Sequence, residues 1–305
     1  MPAQSSTLAG AVAADRPELL GYSPRGMSAQ FPQRIVCLTE ETTETLYLLG
    51  EDWRIVGISG FTVRPPRARR EKPRVSAFTS AKIDRIVALH PDLVLGFSDL
   101  QADIAAQLVR AGIEVHVFNH RSVEEILRMI RTLGGMIGQQ EKTRALVERL
   151  AGGLQEVRER SAGLEHRPRV YFEEWDAPQI SGIRWVSELI AVAGGIDCFP
   201  ELASQSLARD RIVQDPLEVA RRAPDIILGS WCGKRFRPDQ VAARPGWDRI
   251  PAVRNGYVRE IKSPLILQPG PAALTDGVRA IQRIIEEWES GGPALMSQAG
   301  LHGDA

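Results

Sequence analysis

Short apolar runs alternate along the chain with stretches in which apolar residues recur every three to four positions. The runs Arg34–Leu38, Ile55–Ile58, Leu93–Phe97, Glu114–Phe118, Arg169–Phe172, Ile226–Gly229 and Tyr257–Ile261 are rich in Val, Ile and Phe. They stop at Gly, Ser, Asp or Asn, the pattern of buried β-strands. Helical spacing falls between them, on Thr42–Leu49, Ile83–Leu89, Leu100–Ala111, Trp185–Val192, Pro216–Arg222 and Pro271–Trp288. Strands separated by helices predict βαβ units and mainly parallel sheets.

The pattern repeats. Ile83–Gly96 matches Pro216–Gly229: a short helix, then Pro-Asp, then an apolar strand ending in Gly, with Pro91 and Pro224 lying 133 residues apart. Arg34–Val36 followed by Glu44–Gly50 is echoed by Arg169–Tyr171 followed by Glu188–Gly194. So long a period marks a duplicated domain rather than a solenoid. The expected fold is therefore α/β, two similar Rossmann-like lobes joined by one long rigid helix. The expected divisions are lobes over 33–136 and 166–289, a linker over 137–165, and tails over 1–32 and 290–305. Ser122 with Glu125 forms a capping box at the start of the helical stretch between the lobes. From Gln139 to Ser161, apolar Leu146, Val147, Leu150, Leu154 and Val157 keep helical spacing. A rod of about 35 Å results, long enough to cross both lobes, and it predicts a small hinge motion.

Composition narrows the function. The 305 residues are 43% hydrophobic and 25% charged, which excludes a mostly disordered chain. Lys plus Arg and Asp plus Glu both number 38, so a nucleic-acid binder, usually basic, is disfavoured. Cys37, Cys198 and Cys232 are too few and too scattered for a disulfide framework or a zinc knuckle. No apolar run approaches the ~18 residues of a membrane span. The stretch Thr7–Ala14 ends in small residues like a signal peptide, but no Lys or Arg precedes it. The expected location is the cytoplasm, with the periplasm as the alternative, and the chain is expected to act as a monomer.

In open parallel sheets, ligands sit beyond the carboxyl ends of the strands. Those ends carry Thr39, Glu40 and Glu41; Phe61; Phe78; Ser98 after Phe97; and His120 with Arg121. In the second half they carry Glu173, Glu174 and Trp175; Arg184 and Trp185; Trp231 and Cys232; and Lys262. Aromatics are only 6% of the chain, yet Phe61, Phe78, Phe97, Trp175, Trp185 and Trp231 fall here. They point either to a large flat ligand or to packing between lobes. The acidic pairs Glu40-Glu41 and Glu173-Glu174 are suited to acid–base chemistry or a cation, or to capping a helix. The five histidines share no ligand spacing, so no metal site is expected. Cys232 is either reactive or an inert thiol. The basic stretch Arg64–Arg74 is either a solvated loop or a contact to an anion.

Taken together, Arg34–Thr39, Val56–Ser59, Val75-Ser76, Ile83–Val94, Arg169–Tyr171, Glu188–Gly195, Ala223–Ile227 and Pro251–Gly256 resemble the substrate-binding proteins of ABC importers for cobalamin, haem and iron-siderophores. The resemblance is nearest the cobalamin-binding branch and covers roughly Gln33–Trp288. It implies a ligand between the lobes, with Phe78 stacked on a corrin and Trp175 matching a second aromatic. It also implies docking on a permease through one carboxylate per lobe. The first falls on Asp84; near the second position, Leu217, stand Asp215 and Glu218. No catalysis, no catalytic cofactor, no nucleic acid and no membrane insertion are implied. The ligand set is Thr39, Glu40, Phe61, Phe78, Ser98, Glu174, Trp175, Arg184, Trp185, Trp231 and Lys262, around cobalamin or a related metal chelate. The alternative is a cytoplasmic enzyme, or a corrinoid-, haem- or siderophore-handling protein, on the same scaffold, using Glu173, Glu174 or Cys232.

Overall fold

The computed structural model describes residues 30–299. Most of the expected N-terminal tail and the last six residues lie outside that range. Among the described residues, ten strands form two sheets. The first holds β1 (Ile35–Cys37), β2 (Ile55–Ser59), β3 (Arg74–Ser76), β4 (Leu93–Phe97) and β5 (Val115–Phe118), in the order β3-β2-β1-β4-β5, all parallel. The second holds β6 (Arg169–Asp176), β7 (Gln179–Ser181), β8 (Ile196–Asp197), β9 (Ile226–Gly229) and β10 (Val258–Glu260). Here β6, β8, β9 and β10 are parallel, while β7 folds back antiparallel on β6.

The arrangement β8-β6-β9-β10 repeats β2-β1-β4-β5, so the duplicated sequence has become a duplicated topology. β3 has no counterpart in the second lobe, and the β6–β7 hairpin none in the first.

These strands are apolar throughout because both faces are covered, as parallel sheets require. Ile35 and Cys37 face one core while Val36 and Leu38 face another. Val170 and Phe172 likewise face away from Tyr171. The inner core is continuous: it runs from Ile35 and Leu46 through Leu146, Leu150 and Leu154 to Leu189 and Ile285. Those three leucines lie on the long helix Gln140–Ser161, which packs on helices of both lobes. Each Leu or Val buried on it removes about 1.5–3 kcal/mol of unfavourable hydration, as an upper bound. Two lobes that share a core through one helix resist large relative rotation.

The helix before it, Val123–Met136, opens with the expected capping box: the Glu125 N–H donates to Ser122 Oγ at 3.2 Å. It runs through Gly134, where a Cβ would lie 1.9 Å from Thr143 Oγ1 on the long helix. The glycine permits the close crossing.

Four local expectations are corrected. Glu40 and Glu41 begin the helix Glu40–Leu48 instead of ending a strand. The first strand of the second lobe continues beyond Phe172 to Asp176, held by β7. Part of the basic stretch Arg64–Arg74 folds, as the short helix Ala68–Glu71 and the start of β3. The C-terminal helix begins after a π-helical turn, Ala273–Gly277, and continues past Trp288 to Ala299.

Candidate functional site

In the first lobe, the strand-end face is built from the loops after β2, β3, β4 and β5. Phe61 is 53% exposed. Phe78 is half-buried against the edge of the inner core. Its loop is held by Gln101, fully buried, whose Nε2 donates to the Phe78 carbonyl at 2.9 Å while its Oε1 accepts the Phe97 N–H. Ser98 adopts φ +63°, unusual for a residue with a Cβ, and its Oγ accepts the Leu100 N–H. Backbone strain of this kind persists only where the surroundings fix it. Arg121 lies with its guanidinium 4.7 Å above the Phe97 ring and 3.8 Å from Asp99.

In the second lobe, Glu174 is half-buried and takes both nitrogens of Arg211, at 2.6 and 3.1 Å. Trp175 is half-buried, with its Nε1 donating to the Ala177 carbonyl and Lys234 Nζ 5.5 Å from its ring. Lys234 is anchored by Asp176 at 2.5 Å.

Two electrostatic signatures join the lobes. Burial raises the Cys232 thiol, and Glu174 and Glu40, one from each lobe, raise it further. Burial lowers the Arg121 guanidinium, with Asp99 and Glu125 from its own lobe and Arg211 and Glu174 from the other in its field. The strand ends of the two lobes meet where His120, after β5, lies 2.7 Å from the Pro269 carbonyl, after β10.

The neighbouring contacts between lobes are structural. His120 is 4% exposed, with its Nε2 2.7 Å from the Pro269 carbonyl, and burial pushes it down to about 4. Glu44 accepts the Ala272 N–H at 2.9 Å and pairs with Arg64, which also reaches Asp276. Gly270 lies against Glu41, where any Cβ would approach the Glu41 Cβ to 2.5 Å.

The remaining sequence candidates separate into three groups. Trp185 and Trp231 are both 4% exposed and present no ring face to a ligand. Trp185 donates to the Ile266 carbonyl inside the inner core, and Trp231 donates to Glu173. They are packing residues, which corrects the idea that all six aromatics face the cleft; Phe97, at 7% exposure, is buried as well. Thr39 and Glu40 are buried at the start of the helix, with Thr39 donating to Glu41 at 2.5 Å. Arg184 and Lys262 are exposed but paired with Glu188 and Glu260.

The residues that sequence reasoning left out of the set are Arg121, Arg211, Lys234 and Gln101. Arg121 was legible as a strand-end residue. The pairing of Arg211 with a carboxylate 37 residues earlier carried no local signal.

Among the described residues, the convergence of metal-type donors is Glu165, His166 and Glu289. It precedes β6 and so lies at the end opposite the strand-end face. A depression of about 440 Å³, lined by Glu156, Arg160, Arg279 and Arg283, is also remote, between the long helix and the last one.

Two parallel-sheet lobes on one helical spine, with strand ends converging, define a solute-binding architecture. The chain belongs to the family described as Periplasmic binding protein, which matches residues 35–265. It is 24% identical over 266 residues to an uncharacterized ABC transporter substrate-binding lipoprotein of Bacillus subtilis, covering 83% of this chain and 80% of that one. It is 24% identical over 275 residues to a vitamin B12-binding protein of Vibrio parahaemolyticus, covering 89% of this chain and 94% of that one. Its fold matches the periplasmic heme-binding protein of Roseiflexus sp. RS-1 in apo form, with a TM-score of 0.70 and 23% identity over 83% of this chain and 99% of that one. The expectation of a cytoplasmic protein is thereby corrected: the family is periplasmic, and a relative is a lipoprotein. The lack of Lys or Arg before Thr7 was a poor guide to location.

Proposed function

We propose that this chain is the solute-binding component of an ABC importer and holds a large metal chelate, a corrinoid first, between its lobes. The observation that carries the reading is the pair Phe78 and Trp175, both half-buried, at the carboxyl ends of opposite sheets whose ends converge. A flat macrocycle gains from rings on either side, and Lys234, held by Asp176, lies 5.5 Å from the Trp175 ring. The relation to a vitamin B12-binding protein supports the corrinoid as the first candidate.

Docking on the permease is proposed through Asp84, which is exposed and in no ion pair among the described residues. Asp215 and Glu218 suit that role less, because Arg221 holds them at 2.6 and 2.7 Å and Arg222 also holds Glu218.

The enzymatic alternative loses its groups. Glu173 is fully buried under Arg244, Trp231 and Tyr171. Glu174 is neutralised by Arg211, and the Cys232 thiol is raised rather than lowered.

The test is calorimetric titration of the full chain with cyanocobalamin, hemin and a ferric hydroxamate siderophore. Saturable one-to-one binding, tightest for cyanocobalamin, is expected. No saturable binding of any of the three sinks the proposal.

A further inference from the structure

On the last helix, Arg279, Gln282, Arg283 and Glu286 recur at intervals of three and four residues, so they share one face. The long helix brings Glu156, Val157 and Arg160 against them. Together they line the depression of about 440 Å³, a volume within the range of small-molecule sites.

The charges in this depression are unevenly met. Arg160 answers Glu286 at 3.1 Å. Arg279 and Arg283 are exposed, stand one helical turn apart and make no ion pair or hydrogen bond among the described residues. Like charges at that spacing weaken a helix. Glu156 is exposed and pairs with neither of them. Three guanidiniums therefore stand against two carboxylates, and both unanswered ones belong to the last helix.

A second observation lies beneath these charges. Gln282 is only 4% exposed, yet its Nε2 is buried and meets no acceptor among the described residues. A buried amide left without a partner costs stability. Rotation about its last side-chain bond turns the N–H2 group toward the depression that Gln282 lines, where the oxygen of an anion would accept from it.

We propose that this depression is a second binding site, independent of the cleft, for a phosphate monoester. The guanidinium forks of Arg279 and Arg283 match phosphate oxygens, and the Gln282 amide donates to a further one. Val157, 3% exposed, gives the organic part of the ester an apolar wall. A tetrahedral phosphate offers three terminal oxygens to these three groups, whereas a carboxylate offers two in one plane. A bound ester ties the last helix to the spine. A soluble ester and the headgroup of phosphatidic acid share this chemistry.

The full chain is titrated calorimetrically with phenyl phosphate and with phenylacetate, with thermal melts at matched ionic strength. Phenyl phosphate is expected to bind saturably, one to one, and to raise the melting temperature; phenylacetate should bind at least about tenfold more weakly. Arg279→Gln/Arg283→Gln should also lose at least about tenfold in affinity for phenyl phosphate. Without ligand it should melt no lower than the wild type, because both side chains are exposed and repel each other. Gln282→Leu, which removes the unmet amide, should bind phenyl phosphate more weakly yet melt higher without ligand. If the chain also sediments with phosphatidic acid vesicles, and the double variant does not, the headgroup is the source; binding of phenyl phosphate without sedimentation assigns a soluble ester. The proposal is overturned if phenyl phosphate does not bind saturably, if either variant binds it like the wild type, or if phenylacetate binds as tightly.

Discussion

β1 and β6 are equivalent strands of the two lobes, and each carries an adjacent pair of glutamates near its end. The two pairs are handled in opposite ways. In the first lobe the chain turns at once into a helix, and Glu40 and Glu41 are buried with hydrogen bonds but no cation. Burial pushes them up to about 8 and about 7. In the second lobe the strand runs on, and each glutamate meets an arginine: Glu173 takes Arg244 and Glu174 takes Arg211. One lobe buries its acids with hydrogen bonds alone; the other gives each of them an arginine partner. Burial alone therefore says little about ionisation, which depends on whether a cation comes along.

The comparison breaks most visibly at Arg244. Arg244→Met strands a Glu173 carboxylate with no exposed side-chain surface. Removing one partner of a buried pair should lower the free energy of unfolding by about 3–5 kcal/mol, read by denaturant melts. A loss below ~1 kcal/mol would mean that Trp231 and Tyr171 suffice, and that the contrast between the lobes is overdrawn.

Next in size is Gly270→Ala. Its new methyl group would press on Glu41, the uncompensated side of the comparison. Overpacking there should cost about 1–3 kcal/mol. Wild-type stability would show that the contact between the lobes yields easily.

The third effect is a slope. A carboxyl raised in the folded state binds its proton more tightly there than when unfolded. Its contribution to stability is complete below the ordinary carboxyl range and is lost as pH rises toward about 8. Stability of the wild type should therefore fall between pH 5 and about 8, and Glu40→Gln should flatten that fall. Thermal melts across that range decide it: parallel curves for the two proteins would remove Glu40 from the account.

The same contrast marks where sequence reasoning ends. The long apolar strands and the 133-residue repeat were legible because covered parallel strands need unbroken Val, Ile and Leu. β3 and β8, of three and two residues, leave no such run, and β3 sits in a basic stretch. The loops beyond the strand ends, and the aromatics they carry, were legible too. Which of their aromatics stay open was not, since Trp231 and Trp175 look alike in sequence yet one is sealed beneath Phe236 and the other is half-exposed. The arginines that neutralise Glu173 and Glu174 come from 71 and 37 residues away, beyond any local pattern.

The central claim is that Phe78 and Trp175 hold a flat ligand between the lobes. Calorimetric titration of cyanocobalamin into wild type, Phe78→Ala and Trp175→Ala tests it most directly, with thermal melts alongside. Stacking worth roughly 1–3 kcal/mol per ring predicts that each variant binds about five- to a hundredfold more weakly. Melting should change little, because both rings are only half-buried. Variants that bind like the wild type but melt much lower would show that these rings pack the lobes and touch no ligand.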